Sequence, residues 1–489
     1  MAALVIIFAA TMLGMSTHWI NRKFGDITYE QILFHMNISL DSETRLLKSF
    51  LENTLMVSVI LLAVLYILFG LKQYRWAVWE KLAVWVCRHA LKLSLVYLAA
   101  VLGFVAYRID YAEIIEDYQA RNVFSDFYEE NWVNPKNAEI LFPKQKRNLV
   151  LIFAESFEAT YLNKNNREFF KDDFMPEMRK LAEENINFSG DDDIGGMIAV
   201  DGTQWTQAGL VSQTCGIPLH LPIVKHNKFL PKHGYLPKAW CLSDILADAG
   251  YNQVFMTGME KSYAGVDRFW STHGNVRVLS WEYFKKKYRL SDEADPVRRR
   301  ILRDGPFLED AKEQLQQLAQ KKQPFALTLM TMDTHGGWEF ADEKNCKPEF
   351  AERYKNVYKC SDAKVAAFIR WIQQQPFYEN TTVILVGDHL VMNDDIYENG
   401  KDIKRRVMNV FINADKPLLR SKYRQFSSFD MYPTIVEALG MHIRGRRLGL
   451  GVSLFAALPT LIEQDYTPEI LEDEMSKRSR IYDLLLFGK

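Results

Sequence analysis

The sequence predicts an α/β protein: a mainly parallel sheet between helices, preceded by N-terminal transmembrane helices. Three observations carry that prediction. Residues 1–107 concentrate long uncharged stretches, whereas from residue 148 short β-rich apolar runs alternate with helical ones. The chain as a whole has an ordinary globular composition, 48% hydrophobic and 25% charged, which excludes disorder. The charge balance, 60 Lys+Arg against 61 Asp+Glu, lacks the basic excess of an electrostatic nucleic-acid binder, so no nucleic-acid partner is expected. Five Cys in 489 residues exclude a disulfide-dense scaffold.

The N-terminal elements come first. Residues 1–17, 53–71 and 93–107 carry no charged side chain. A helix needs ~20 apolar residues to cross a bilayer. The second stretch satisfies this directly, and the third does so if Arg88 and Lys92 snorkel to the interface. Trp76, Trp79 and Trp85 stand where an aromatic belt would. The first stretch lacks a basic region before its apolar run, and further spans follow. Both favour an uncleaved anchor over a signal peptide. The short 71–81 connection holds Lys72, Arg75 and Lys81 against Glu80, which places it in the cytoplasm by the positive-inside rule. With about three spans, everything beyond residue 108 then lies outside the cytoplasmic (inner) membrane, on its periplasmic side. The expected organisation is a membrane domain at 1–107, a helical linker at 108–147, an α/β domain at 148–460 and a solvated helical tail at 461–489.

Strands are expected at 148–154, 252–257, 324–332, 381–388 and 407–414, because near-continuous apolar runs mark strands covered on both faces. Helices are expected at 305–322 and 361–375 between them. Alternation of this kind implies right-handed crossovers, with ligands at the carboxyl ends of the strands.

Three strand ends carry polar residues for which an apolar sheet has no packing use. Glu155-Ser156 follows the first run, Asp388-His389 follows TTVILVG, and His335-Gly336-Gly337 follows PFALTLMTMDT. A carboxylate after a buried strand is costly unless it is paired or bound to a cation. Asp, Glu and His together form a mixed oxygen and nitrogen ligand set for a divalent metal. Each residue also has a structural reading, a helix cap for Asp388 or a hydrogen-bonded core imidazole for His335. A fourth element, GTQWTQAGLVSQTCGIPL at 202–219, reads as a loop entering a helix, with Thr203 at or near the cap. A hydroxyl there meets unpaired N–H groups and the positive end of the helix dipole, and beside a metal it can serve as a nucleophile. Its other reading is a plain capping Thr.

These residues resemble a family. LIFAESFEA (151–159), GTQWTQAGLVSQTCGIPL (202–219), CLSDILADAGY (241–251), TLMTMDTH (328–335) and VGDHLVMN (386–393), with FGDITYEQILFHMN (24–37) before them, are similar to the sulfatase-like membrane transferases of the alkaline phosphatase superfamily. That family includes lipoteichoic acid synthases and phosphoethanolamine transferases. The closest likeness is to the phosphoglycerol transferases of the osmoregulated periplasmic glucan type. The resemblance implies metal ligands at Glu155, Asp388 and His389. It puts the nucleophile, also a metal ligand, at Thr203, with Thr206 as competitor. His335 corresponds to the residue that meets the substrate phosphate or protonates the leaving group. It further implies a divalent metal ion (Mn²⁺, Mg²⁺ or Zn²⁺), a phospholipid donor in the lipid bilayer and a glycan acceptor. The reaction implied is transfer of phosphoglycerol from phosphatidylglycerol through a phospho-threonine. A phosphoethanolamine transferase or a phosphodiesterase on the same scaffold is the alternative. Cys215-Gly216-Ile217-Pro218 lacks the C/S-x-P-x-R spacing of formylglycine sulfatases. The Trp-x-Arg pair that lipoteichoic acid synthases use for glycerol phosphate has no counterpart in 255–274, where Lys261, Tyr263 and Arg268 can serve instead.

Cys87 falls in a membrane segment and is expected to stay reduced, while Cys215, Cys241, Cys346 and Cys360 fall in the outer domain, where disulfides persist. Four Cys allow three connectivities. The shorter closures cost less entropy, which favours Cys215 with Cys241 and Cys346 with Cys360.

Overall fold

The computed structural model describes residues 2–24, 49–70, 77–108, 115, 119–120, 122–220, 234–261, 265–291, 301–335, 342, 344–392, 394–397 and 403–488. Most of the 24–37 motif, the cationic 71–76 part of the short connection, Tyr263, Gly336, Gly337 and Asn393 lie outside the described residues. The chain divides into two compact units that meet in sequence between Gln119 and Ala120.

The N-terminal unit contains α1 (Ala2–Phe24), α2 (Met56–Gly70) and α3 (Ala77–Arg108). Among the described residues, two segments, Ala2–Asn21 and Arg88–Arg108, are long and apolar enough to cross a membrane; Leu51–Ile67 is apolar but shorter. Helices α1 and α3 meet through small residues. Ala10 is buried with Val101 and Val105, a Cβ on Gly14 would stand 3.3 Å from Val101 Cγ1, and Thr11 Oγ1 lies 3.1 Å from the Tyr97 hydroxyl. Close approach at Ala and Gly, with one polar contact, is how helices associate where water gives no driving force.

The second unit is built on a seven-stranded sheet: β1 (Asn148–Ala154), β2 (Gly196–Met197), β3 (Asn252–Thr257), β4 (Arg277–Leu279), β5 (Phe325–Met330), β6 (Thr381–Gly387) and β7 (Val407–Ile412). The spatial order is β2-β7-β6-β1-β5-β3-β4. The five strands from β6 to β4 run parallel, and β7 and β2 close the far edge antiparallel. Every residue of β1 is buried. Leu149, Leu151 and Phe153 join one hydrophobic core while Val150, Ile152 and Ala154 join the other. Alternate side chains thus feed cores on opposite faces, the reason the strand is apolar from Leu149 onward.

The sulfatase and alkaline-phosphatase-like expectation, a mainly parallel sheet between helices, therefore holds, and details differ. The two short edge strands β2 and β4 carry too few residues to show a period. Helix α5 (Asp304–Ala319) follows α4 (Thr206–Cys215) in the numbering used here and matches its expected run. Helix α6 (Arg353–Gln373) starts well before Ser361, its polar first turns being covered by neighbours. The described part of 108–147 is largely irregular from residue 122: only Phe127–Asn131 and a 3₁₀ turn at Pro135–Asn137 are helical. The tail is two short helices, α7 (Pro468–Ser476) and α8 (Arg480–Phe487). They bury Leu471, Met475, Tyr482, Leu485 and Leu486 in the first core instead of standing in solvent.

Both expected disulfides are present, Cys215–Cys241 and Cys346–Cys360, with Cα separations of 4.2 and 5.7 Å.

Candidate active site

Strand register builds the site. Ala154 of β1 pairs with Gly387 of β6, so the next residue on each parallel strand brings Glu155 beside Asp388. His389 follows at once. Ligand atoms of Glu155, Asp388 and His389 all lie within 4.8 Å of one another, and all three residues are buried.

The backbone is shaped to aim them. Ser156, in the turn after β1, adopts a positive φ of 54°, a conformation a non-glycine residue takes only where surroundings impose it. In that pose its N–H donates to Asp388 Oδ1 at 2.8 Å and its hydroxyl to Glu155 Oε1 at 2.7 Å. Its carbonyl accepts from the Tyr358 hydroxyl at 2.9 Å. One residue therefore ties both carboxylates. His389 Nδ1 lies 2.6 Å from the Leu390 carbonyl, which fixes Nδ1–H as donor and turns Nε2 into the site. Nε2 is 3.4 Å from Glu155 Oε1 and 3.4 Å from Asp388 Oδ2.

The electrostatics are those of a cation site. Burial pushes up both carboxyls. For Glu155 this is outweighed by His389 and by the nearby His335, which with the Ser156 hydroxyl bring it down to about 2. For Asp388, burial and the neighbouring Glu155 charge raise it to about 7. Burial opposes charge on His389, yet the two carboxylates lift it to about 9. The carboxylates thus favour the protonated form of His389, whose single charge offsets part of theirs. The second oxygens, Glu155 Oε2 and Asp388 Oδ2, are buried without a hydrogen bond. Two orphaned carboxylate oxygens beside one directed imidazole nitrogen suit a divalent ion, and no other economical use of them is evident.

The structure separates the two threonines. The Thr203 hydroxyl donates to the Val200 carbonyl at 2.6 Å and accepts from the Val200 N–H at 3.2 Å, closing its own turn. Thr206, the first residue of α4, has Oγ1 3.4 Å from His389 Nε2. His335 ends the turn after β5, which is sewn to the site: Thr331 Oγ1 accepts from the Glu155 N–H at 3.0 Å, and Thr334 Oγ1 donates to the Glu155 carbonyl at 2.5 Å. Beneath that turn, Asp304 accepts from the Met332 and Asp333 N–H groups. Arg303 and Lys364 hold the Asp333 carboxylate.

Glu158 was not singled out from the sequence. It is fully buried, accepting from the Val391 N–H at 2.9 Å, the Tyr397 hydroxyl at 2.7 Å, the Thr160 hydroxyl at 2.8 Å and the Arg405 guanidinium. It joins the segment after Glu155 to the segment after His389. Its partners Val391, Tyr397 and Arg405 lie more than two hundred positions away, so no local signal reveals it.

A second cluster among the described residues, Cys241, Asp244 and His273, is already saturated. Cys241 is in a disulfide, and His273 bridges Asp244 Oδ2 and the Tyr235 carbonyl at 2.9 Å each.

A carboxylate pair and an imidazole thus stand at the carboxyl ends of adjacent parallel strands, faced by a hydroxyl at a helix N-terminus. Residues 147–441 match the sulfatase family, and the chain belongs to it. Among curated relatives, phosphoglycerol transferase I of Xanthomonas campestris pv. campestris is 31% identical over 363 residues, covering 71% of this chain and 46% of that protein. Phosphoglycerol transferase I of Escherichia coli is 30% identical over 375 residues, covering 75% and 46%. The chain spans about half the length of the curated relatives it matches. Among solved structures, the integral membrane protein lipooligosaccharide phosphoethanolamine transferase A from Neisseria meningitidis superposes with a TM-score of 0.52 at 13% identity, over 90% of this chain and 84% of that one. An alkaline phosphatase superfamily protein from Vibrio parahaemolyticus gives 0.50 at 17% identity, over 68% and 76%. At these identities the two structures establish the fold.

Proposed function

We propose that this protein is a membrane-anchored, metal-dependent transferase of the inner membrane. It moves a phosphoglycerol group from phosphatidylglycerol to a glycan hydroxyl on the periplasmic side. The observation that carries the reading is the convergence of Glu155, Asp388, His389 and the Thr206 hydroxyl at the carboxyl ends of two neighbouring central strands. The likeness to phosphoglycerol transferases supplies the head group.

Glu155, Asp388, His389 and Thr206 would hold a divalent ion; when bound, it supplies Lewis acidity toward the phosphodiester and favours the ionised hydroxyl. Thr206 replaces Thr203 as the proposed nucleophile, because Thr203 spends its hydroxyl on Val200. Thr206 Oγ attacks phosphorus; the bond to the diacylglycerol oxygen breaks, and that oxygen takes a proton from His335. In the second half, His335 accepts the proton of the acceptor hydroxyl, whose oxygen attacks the same phosphorus and releases Thr206. One imidazole serves as acid and then as base.

The test is mass spectrometry of the full chain in detergent with Mn²⁺ and phosphatidylglycerol. A phosphoglycerol mass on Thr206, assigned by fragment ions, is expected. An adduct on Thr203 would overturn the nucleophile, an adduct formed only from phosphatidylethanolamine would change the head group, and no adduct with either lipid would overturn the covalent route.

A further inference from the structure

Helix α4 meets the Asp388 segment along one face. Positions 206, 209 and 213 are spaced by three and four, which puts them in a line on a helix. At the top, Thr206 Oγ1 stands 3.4 Å from His389 Nε2. One turn on, a Cβ on Gly209 would lie 2.1 Å from the Asp388 carbonyl oxygen and 2.9 Å from its carbon, so the two backbones are in contact there. One turn further, Gln213 Nε2 donates to the carbonyls of Gly387 at 2.9 Å and Asp388 at 3.2 Å.

We infer that Gly209 and Gln213 are positioning residues that fix the reach of the Thr206 hydroxyl to the Asp388–His389 pair. The inference rests on the reading of Thr206 as nucleophile. Gln213 is fully buried, yet its Oε1 has no hydrogen-bond partner. A buried amide with one orphaned end is a poor way merely to fill space, since an apolar side chain of similar length would have no polar atom of its own to satisfy. What the amide provides and a methionine does not is a pair of N–H bonds to the backbone that carries the ligands. Gly209 gives the same contact its closeness, because any side chain there would push the helix off the strand end. The lower end of α4 is held independently by the Cys215–Cys241 disulfide, so the helix cannot slide to compensate.

The experiment compares Gln213→Met with wild type in the full chain, detergent-solubilised and saturated with Mn²⁺, with kcat counted per folded molecule. A displacement of about 1 Å at a reacting group can cost about 100-fold. The expected result is a kcat lowered about 10- to 100-fold, with KM for phosphatidylglycerol and Mn²⁺ content unchanged, and with a modestly lower Tm from the two carbonyls that lose their donor. The single-turnover rate of adduct formation on Thr206 falls in parallel. Unchanged kcat, or a loss confined to KM, overturns the inference, since a space-filling role predicts at most a lower Tm. Gly209→Ala should show the same kcat loss where it folds; Gln213→Met decides if it does not. Wild type that forms no adduct on Thr206 removes the underlying reading, whereas a normal wild-type adduct with an unaltered Gln213→Met rate removes only the positioning role.

Discussion

His389 holds its Nε2 toward three oxygens at once: Glu155 Oε1, Asp388 Oδ2 and Thr206 Oγ1, each 3.4 Å away. That meeting point is what distinguishes Thr206 from Thr203, three residues earlier. The separation is less than one helical turn and is not readable from a string of letters. Both hydroxyls sit at the start of the same helix, and only the path of the loop decides which one is used by its own turn. Thr206→Ala should therefore abolish transfer and adduct formation. Thr203→Ala should keep the nucleophile and lose about 1 kcal/mol of stability from its turn, read by urea unfolding alongside the transfer assay. Equal inactivation of both variants at full stability would contradict this assignment. Glu155, Asp388 and His389, by contrast, were legible as candidates, because polar residues directly after buried apolar strands have few structural uses.

Among the elements, β1 and β6 were visible from their unbroken apolar runs, and both disulfides from short spacing. Edge strands of two or three residues were not, nor was the early start of α6, whose first turns are polar in sequence and covered only in the folded molecule. The coupling of the two ligand segments through Glu158 belongs at this scale too. Replacing Glu158 with Ala would strand the Arg405 guanidinium, which lies over the Tyr397 ring at 4.2 Å, without its carboxylate. Breaking a buried pair on one side costs about 3–5 kcal/mol. Urea unfolding should show a loss of that size, together with weaker Mn²⁺ binding by calorimetry, because the Val391 N–H also loses its acceptor. A variant with wild-type stability would show that Glu158 is not the bridge described.

At the scale of the whole molecule, several buried groups bias stability the same way. Burial raises Asp304, Asp362 and Asp430 to about 7, with the nearby Asp333 charge adding to the effect on Asp304. A carboxyl whose folded value is raised holds its proton longer in the native state, so stability falls as pH rises from the ordinary carboxylate range to about 7. His389, lifted to about 9, contributes fully below about 6.5 and loses that contribution as pH rises to 9. Glu155, lowered to about 2, contributes fully above the ordinary carboxylate range and loses that contribution only as pH falls to about 2. The metal-free protein should therefore show a Tm that declines from about pH 5 to pH 9. Mn²⁺ competes with the His389 proton, so its stabilising effect should grow over the same interval. Thermal unfolding with and without Mn²⁺ at several pH values checks both. A metal increment that shrinks with rising pH would be incompatible with the ligand set.

The register that sets Ala154 beside Gly387 also bears on how such proteins diversify. The three ligand-bearing positions directly follow two neighbouring strands, while the chain between them supplies strands β2 to β5, helix α4 with Thr206 and the turn that ends at His335. Insertions, deletions and exchanges in the surface connections of that stretch need not disturb the reactive centre so long as the strands keep their alignment and Thr206 and His335 keep their places. Selection can thus rework whatever recognises donor and acceptor while the bond-making apparatus is inherited intact, and substrate range can drift faster than reaction type.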